Sequence, residues 1–108
     1  MTRATHITPT DLLERLDSGE LWQILDVREP WEIEIASVAG TMNIPMGEVP
    51  DRYDELSACT QIAVLCHSGV RSGRVADWLL DNGFENIANI VGGIDAWSVD
   101  VDSSIRRY

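Results

Sequence analysis

The chain has 108 residues, 44% of them hydrophobic and 24% charged, which is enough for one domain around one apolar core and too few for a second. A total of 18 acidic residues against 8 basic ones leaves a net charge of −10. That balance argues against nucleic acid and anionic membrane surfaces as partners and reads chiefly as a solubilising surface.

No apolar run approaches spanning length, the opening stretch MTRATHITPT lacks the apolar segment of a secretory signal, and two cysteines do not make a disulfide framework. The expectation is a cytoplasmic protein with reduced thiols, no membrane contact and no cofactor. His6 and His67 are far apart without metal-ligand spacing, so no metal is expected.

In chain order, Thr8 is suited to cap a helix, with Pro9 at its first position and Asp11 at its third. Leu12, Leu13 and Leu16 supply an apolar face, and Gly19 ends the segment. Leu21 to Val27 predicts a buried strand with Asp26, Arg28, Glu29 and Pro30 at its carboxyl end, and Pro30 can start a helical turn through Ile35. Met42 to Ile44 predicts a short strand closed by Pro45. A helix is expected roughly over Val49 to Leu56, with Tyr53 and Leu56 inward.

Gln61 to Arg74, QIAVLCHSGVRSGR, is the stretch with chemical content. Ile62 to Leu65 is a continuous apolar run, as in a strand buried on both faces of a parallel sheet. Beyond the loop, Val75, Ala76, Leu79 and Leu80 share one helical face, with Asp77 and Asp81 opposite and a stop at Asn82 and Gly83. Cys66 therefore sits where a strand ends and a helix begins. The unpaired N–H groups and positive end of that helix favour an anionic sulfur. Gly69 lets the loop turn its N–H groups inward as a nest, and Arg71 and Arg74 add positive charge, as a nucleophilic cysteine requires and a structural one does not. Cys59 reads as a packing residue, with a resolving thiol as the alternative.

Ile87 to Val91 predicts another strand, Gly92 and Gly93 a tight turn, and Ile94 to Trp97 the start of a final helix, with Trp97 in the core. Alternating strands and helices imply an α/β parallel sheet with helices on both faces and ligands bound beyond the strands' carboxyl ends. Asp26, Arg28, Cys66, Gly92 and Gly93 would then rim one shallow pocket. Arg28 either helps to hold an anion or the Cys66 loop, or forms a structural ion pair with Asp26.

LDVREPWE at 25–32, AGTMNIP at 39–45, CHSGVRS at 66–72 and GFENIANIVGGIDAW at 83–97 resemble, in order and spacing, the successive signatures of the rhodanese-like domain family. The resemblance spans nearly the whole chain, as a single domain of residues 1–108. It implies a central five-stranded parallel sheet flanked by helices, with Cys66 carrying a persulfide. Family members commonly have Gly-His-Ile where this chain has Ala36, Ser37 and Val38. The tail GGIDAWSVDVDSSIRRY resembles the ending of rhodanese domains fused behind adenylyltransferases that activate ubiquitin-like sulfur carriers, which implies such a carrier or its adenylyltransferase as a partner.

The expected chemistry is a sulfurtransferase cycle. The Cys66 thiolate takes the outer sulfur of a small anionic donor such as thiosulfate, or of another persulfide, and passes it to a thiophilic acceptor. The backbone of His67, Ser68, Gly69, Val70 and Arg71 would stabilise the terminal sulfur, with Arg71 and Arg28 as charged contributors to substrate binding. A cysteine phosphatase is disfavoured, because Cys66 to Arg71 is C-x4-R, one residue shorter than a loop that cradles three phosphate oxygens. The non-enzymatic alternative is an interaction module, against which retention of Cys66 speaks.

Overall fold

A computed structural model describes residues 3–57 and 60–108; Cys59 lies outside them. Five strands form one sheet in the order β1-β5-β4-β2-β3, every pair parallel. They are β1 (Thr5–Ile7), β2 (Trp22–Asp26), β3 (Met42–Asn43), β4 (Gln61–Leu65) and β5 (Ile87–Ile90). The helices are α1 (Pro9–Asp17), α2 (Pro30–Ile35), α3 (Val49–Arg52), α4 (Val70–Asp81) and α5 (Gly93–Asp100). Among the described residues no helix is long and apolar enough to cross a membrane.

The central strand β4 shows why its sequence is unbroken in hydrophobicity. Ile62 and Val64 face one core with Val49 of α3 and Val75, Ala76 and Leu79 of α4. Ala63 and Leu65 face a second core with Leu12 of α1 and Ile94 and Trp97 of α5. Each large aliphatic side chain so buried contributes about 1.5–3 kcal/mol. Parallel strands need crossovers, and the crossovers place helices on both faces. As expected from the sequence, Thr8 caps α1 by accepting the Asp11 N–H at 3.1 Å, and Trp97 is a core residue.

The departures are local. Residues Thr5–Ile7 form a strand that the sequence does not announce, because three residues carry too little alternation to read. Leu21 falls outside β2 and is 80% exposed. The helix expected over 49–56 is only the four residues of α3, flanked by 3-10 turns at Met46–Glu48 and Tyr53–Glu55. Pro50 sits in the first turn of α3, where its missing N–H costs nothing, and after Arg52 the chain tightens into the 3-10 turn. Leu56 is buried as expected, whereas Tyr53 is exposed, its ring edge-on to Trp78.

The carboxyl end of β2 holds a buried ion pair. Arg28 and Asp26 are both wholly buried. The Arg28 Nε and Nη2 donate to the Asp26 carboxylate at 3.0 and 2.8 Å, Nη2 also reaches the Ala36 carbonyl at 2.9 Å, and Nη1 donates to the Tyr108 hydroxyl at 3.0 Å. One guanidinium thereby joins β2, the end of α2 and the C-terminal tail. Replacing Arg28 by Ala is expected to destabilise the fold by about 3–5 kcal/mol by stranding the Asp26 charge. Removing Arg52, whose pairs with Glu48 and Glu55 are solvent-exposed, is expected to leave stability close to that of the parent chain. Urea denaturation of the two variants beside the parent chain checks both.

Candidate active site

Cys66 is the first residue after β4, and the loop 66–69 leads directly into α4. Gly69 caps that helix with φ 106°, a left-handed conformation natural to glycine, and its N–H donates to the Cys66 Sγ at 3.0 Å. Of the inward N–H groups expected from the sequence, that of Gly69 meets the sulfur. His67 and Gly69 are half-buried, while Ser68 and Val70 are exposed on the rim. Cys66 itself is only 1% exposed, so its sulfur lies beneath the loop.

A further polar group, itself backed by a second, meets the sulfur from inside the protein. The Ser72 Oγ of α4 lies 3.2 Å from Sγ, and its hydroxyl donates to Asn89 Oδ1 of β5 at 2.5 Å. The Asn89 Nδ2 donates back to the Gly69 carbonyl at 3.1 Å. The β5 sequence Ile-Ala-Asn-Ile held a signal for Asn89, since an amide in an otherwise apolar buried strand must have a partner.

The amino end of α5 holds the loop from the other side. The Ile94 N–H donates to the Cys66 carbonyl at 2.9 Å and the Asp95 N–H to the His67 carbonyl at 3.1 Å. With those carbonyls bound outward, the loop can direct its own N–H groups toward the sulfur. Gly93 permits the approach: a Cβ there would lie 2.5 Å from the His67 carbonyl oxygen. The turn read at Gly92 and Gly93 is therefore part of the site.

Arg71 is not a free cation. Its Nη1 and Nη2 donate to the two carboxylate oxygens of Glu32 at 2.6 and 2.8 Å. Glu32 also accepts the Glu29 N–H at 3.1 Å and the Tyr108 hydroxyl at 2.7 Å. The Tyr108 ring lies flat against the His67 imidazole, 4.1 Å between centroids. Burial holds the Tyr108 hydroxyl in its protonated form beyond the ordinary phenol range, so it can accept from Arg28 and donate to Glu32. Glu32 and Tyr108 are missing from the sequence-derived site, since nothing in their local pattern signals a contact across 39 and 76 residues.

The expected shallow pocket needs correction. Cys66 and the Gly92–Gly93 turn do meet, but Asp26 and Arg28 lie inside the protein with the Arg28 donors engaged, which excludes Arg28 from direct contact with a ligand at the loop. A cleft of about 580 Å³ lies elsewhere, among residues that include Leu16 of α1, Ile35 of α2 and Ile105 of the tail.

The Arg71 guanidinium, ahead of the Tyr108 hydroxyl, holds the Glu32 carboxyl down to about 2 from an ordinary 4.5, against the opposing effect of burial. A carboxyl depressed in the folded state contributes stability that is full above its unfolded value and is lost as pH falls through the folded one. Glu32→Gln is expected to be less stable than the parent at neutral pH, with the gap closing between about pH 4.5 and 2. Denaturant midpoints measured across that range check it; a gap independent of pH would contradict the assignment.

Comparison with known proteins places this geometry. The chain is 41% identical over 85 residues to the putative sulfur carrier protein YrkF of Bacillus subtilis, covering 79% of this chain and 46% of that one. It is 31% identical over 115 residues to the adenylyltransferase and sulfurtransferase MOCS3-2 of Zea mays, covering all of this chain and 24% of the other. The chain thus spans less than half the length of both relatives. The putative sulfurtransferase YtwF of Bacillus subtilis is nearer in size, 31% identical over 91 residues, 84% of this chain and 87% of the relative. Among solved structures, a rhodanese-related protein from Thermoplasma volcanium superposes with a TM-score of 0.82 at 33% identity, covering 90% of this chain and 93% of that one. The family profile described as the rhodanese-like domain matches residues 8–100, and the chain accordingly belongs to the rhodanese-like domain family.

Proposed function

We propose that this chain is a sulfurtransferase in which Cys66 accepts a sulfane sulfur as a persulfide and passes it on. The observation that carries the proposal is the Gly69 N–H aimed at Sγ at 3.0 Å, at the amino end of a 12-residue helix. A group so placed favours negative charge on sulfur, by a direct hydrogen bond and by the helix dipole. The names of the relatives, a sulfur carrier and two sulfurtransferases, agree with this chemistry.

In the first half-reaction the Cys66 thiolate attacks the outer sulfur of the donor. With thiosulfate, the new bond joins Sγ to that sulfur and sulfite departs with the electron pair of the broken bond. With a persulfide donor, a thiolate departs instead. In the second half, an acceptor nucleophile attacks the outer sulfur and the Cys66 thiolate is restored. The backbone N–H groups of residues 67–71 stabilise the terminal sulfur anion, in the manner of an oxyanion hole. Arg71, held by Glu32, keeps the start of α4 in place.

As a protein partner we propose a small sulfur-carrier protein or its adenylyltransferase. With a carrier carboxyl activated as an adenylate, the terminal sulfur attacks the acyl carbon and AMP departs. An external thiol then attacks Sγ and releases the thiocarboxylate, and a second thiol reduces the remaining disulfide to restore the Cys66 thiolate. The likeness to MOCS3-2 extends over the whole chain, tail included.

The decisive experiment is intact-protein mass spectrometry after exposure to thiosulfate and, separately, to a small-molecule persulfide. The parent chain is expected to gain one sulfur atom and to release thiocyanate when cyanide is added. Cys66→Ser is expected to do neither while keeping its fold. If neither donor loads the parent chain, the transferase assignment fails and the chain is to be regarded as an interaction module.

A further inference from the structure

We infer that Ser72 is a catalytic residue whose single hydroxyl proton alternates between Asn89 Oδ1 and Cys66 Sγ as the sulfur loses and gains charge. The inference begins with the orientation of the Asn89 amide. The Gly69 carbonyl, 3.1 Å from Asn89, can only accept, so Nδ2 must face it. That leaves Oδ1, also only an acceptor, against the Ser72 hydroxyl at 2.5 Å. Ser72 carries one proton and lies between two atoms that can take it, Asn89 Oδ1 and Sγ at 3.2 Å.

With Cys66 as a thiol, S–H points at Ser72 Oγ, Ser72 donates to Asn89, and every proton has an acceptor. With Cys66 as a thiolate, the sulfur has no proton to give and the hydroxyl must choose. A hydrogen bond to an ionised acceptor is roughly twice as strong as one to a neutral carbonyl, so the O–H turns to Sγ and Asn89 Oδ1 gives up its bond. Cys66, Ser72 and Asn89 are 1%, 0% and 6% exposed, so bulk water does not supply a substitute donor. Asn89 is the waiting acceptor that keeps the hydroxyl satisfied whenever the sulfur is neutral.

Combined with the persulfide reading above, on which this step rests, the switch acts unequally on the two half-reactions. In loading, Sγ begins as the thiolate already bonded to Ser72 and becomes a neutral divalent sulfur as its new bond forms; the hydroxyl returns to Asn89. In unloading, the acceptor forms a bond to the outer sulfur, the bond between that sulfur and Sγ breaks, and Sγ leaves with the electron pair. Charge appears on Sγ at that moment, and the Ser72 O–H is positioned to meet it. Ser72 therefore assists the departure of Sγ more than its attack.

The test has two arms on the full chain, with Ser72→Ala and Ser72→Thr beside the parent. In the first, without donor, the rate of alkylation by iodoacetamide is followed against pH. Ser72→Ala is expected to move the midpoint upward by about one unit, as for loss of one charge-assisted hydrogen bond, and Ser72→Thr to restore it. The charged or titratable groups facing the loop, Arg71 and its partner Glu32, Tyr108, His67 and Asp95, are unchanged in all three proteins. In the second arm, at a pH above the alkylation midpoints of all three proteins so that Cys66 is ionised in each, protein preloaded with sulfur is discharged with cyanide, and loading and discharge are timed separately. Ser72→Ala is expected to slow discharge on the order of 10-fold or more and loading by much less.

Superimposable alkylation profiles with intact folds by circular dichroism would overturn the inference, as would equal slowing of both half-reactions, which marks a merely structural side chain. If the parent chain does not load, the persulfide reading fails, and the alkylation arm alone still decides whether Ser72 bonds the thiolate.

Discussion

The constraint on which this site depends is the direction of the peptide groups between Cys66 and Gly69. A loop that turns N–H groups toward one sulfur must turn its carbonyls away, and a carbonyl without a donor is costly when buried. Here the donors are the first N–H groups of α5, given to the carbonyls of Cys66 and His67. A helix leaves those groups unpaired at its amino end, so the same accounting satisfies both elements. Two helix starts thus converge on one loop: α4 presents its amino end to the sulfur, and α5 fastens the loop's back. The sheet order places β5 beside β4, which brings α5 within reach.

Among the described residues, the protein buries three charged side chains around this core. Arg28, Asp26 and Glu32 are all within the protein, and Tyr108 bridges Arg28 to Glu32. Buried ion pairs contribute little net stability compared with apolar replacements, yet breaking one is costly. Their effect here is to fix position. Arg28 ties α2 to β2, Glu32 ties α2 to α4 through Arg71, and Tyr108 brings the tail against His67. The tail is itself held by the Ser98 hydroxyl on the Ile105 carbonyl and by Arg107 on Asp95. A segment with little secondary structure thereby reaches the side of the loop.

The sheet and the reactive loop were legible because their signals are local. An apolar run followed by Cys, Gly and a helical face in Gln61 to Leu80 needs no knowledge of the rest of the chain, and Thr8-Pro9 marks a helix start by short-range chemistry. Resemblance of four ordered motifs then supplied the fifth strand, which Thr5–Ile7 alone did not show. What stayed hidden was pairing at a distance. Arg71 reads in sequence as a free cation because Glu32 is 39 residues away, and Arg28 could be assigned to ligand or to scaffold until its burial was known. Asn89, an amide in an otherwise apolar strand, is absent from the sequence-derived site, and its partners Ser72 and Gly69 lie 17 and 20 residues away.

Pairing Arg71 with Glu32 also changes how charge is handled at the site. The chain as a whole carries a net charge of −10, a field that opposes the approach of small dianions over distances up to the Debye length of about 10 Å at 0.1 M salt. With Arg71 neutralised by a buried carboxylate and Arg28 enclosed, long-range attraction toward Cys66 is weak. The stabilisation of a sulfur anion then falls to groups in direct contact: the Gly69 N–H, the α4 terminus and the Ser72 hydroxyl. Fixed dipoles of this kind act over a few ångströms and, beside a sulfur that is 1% exposed, are little screened by salt. For the sulfur transfer we propose, recognition would rest on whether a donor can present its outer sulfur at the mouth of the loop, more than on the total charge the donor carries.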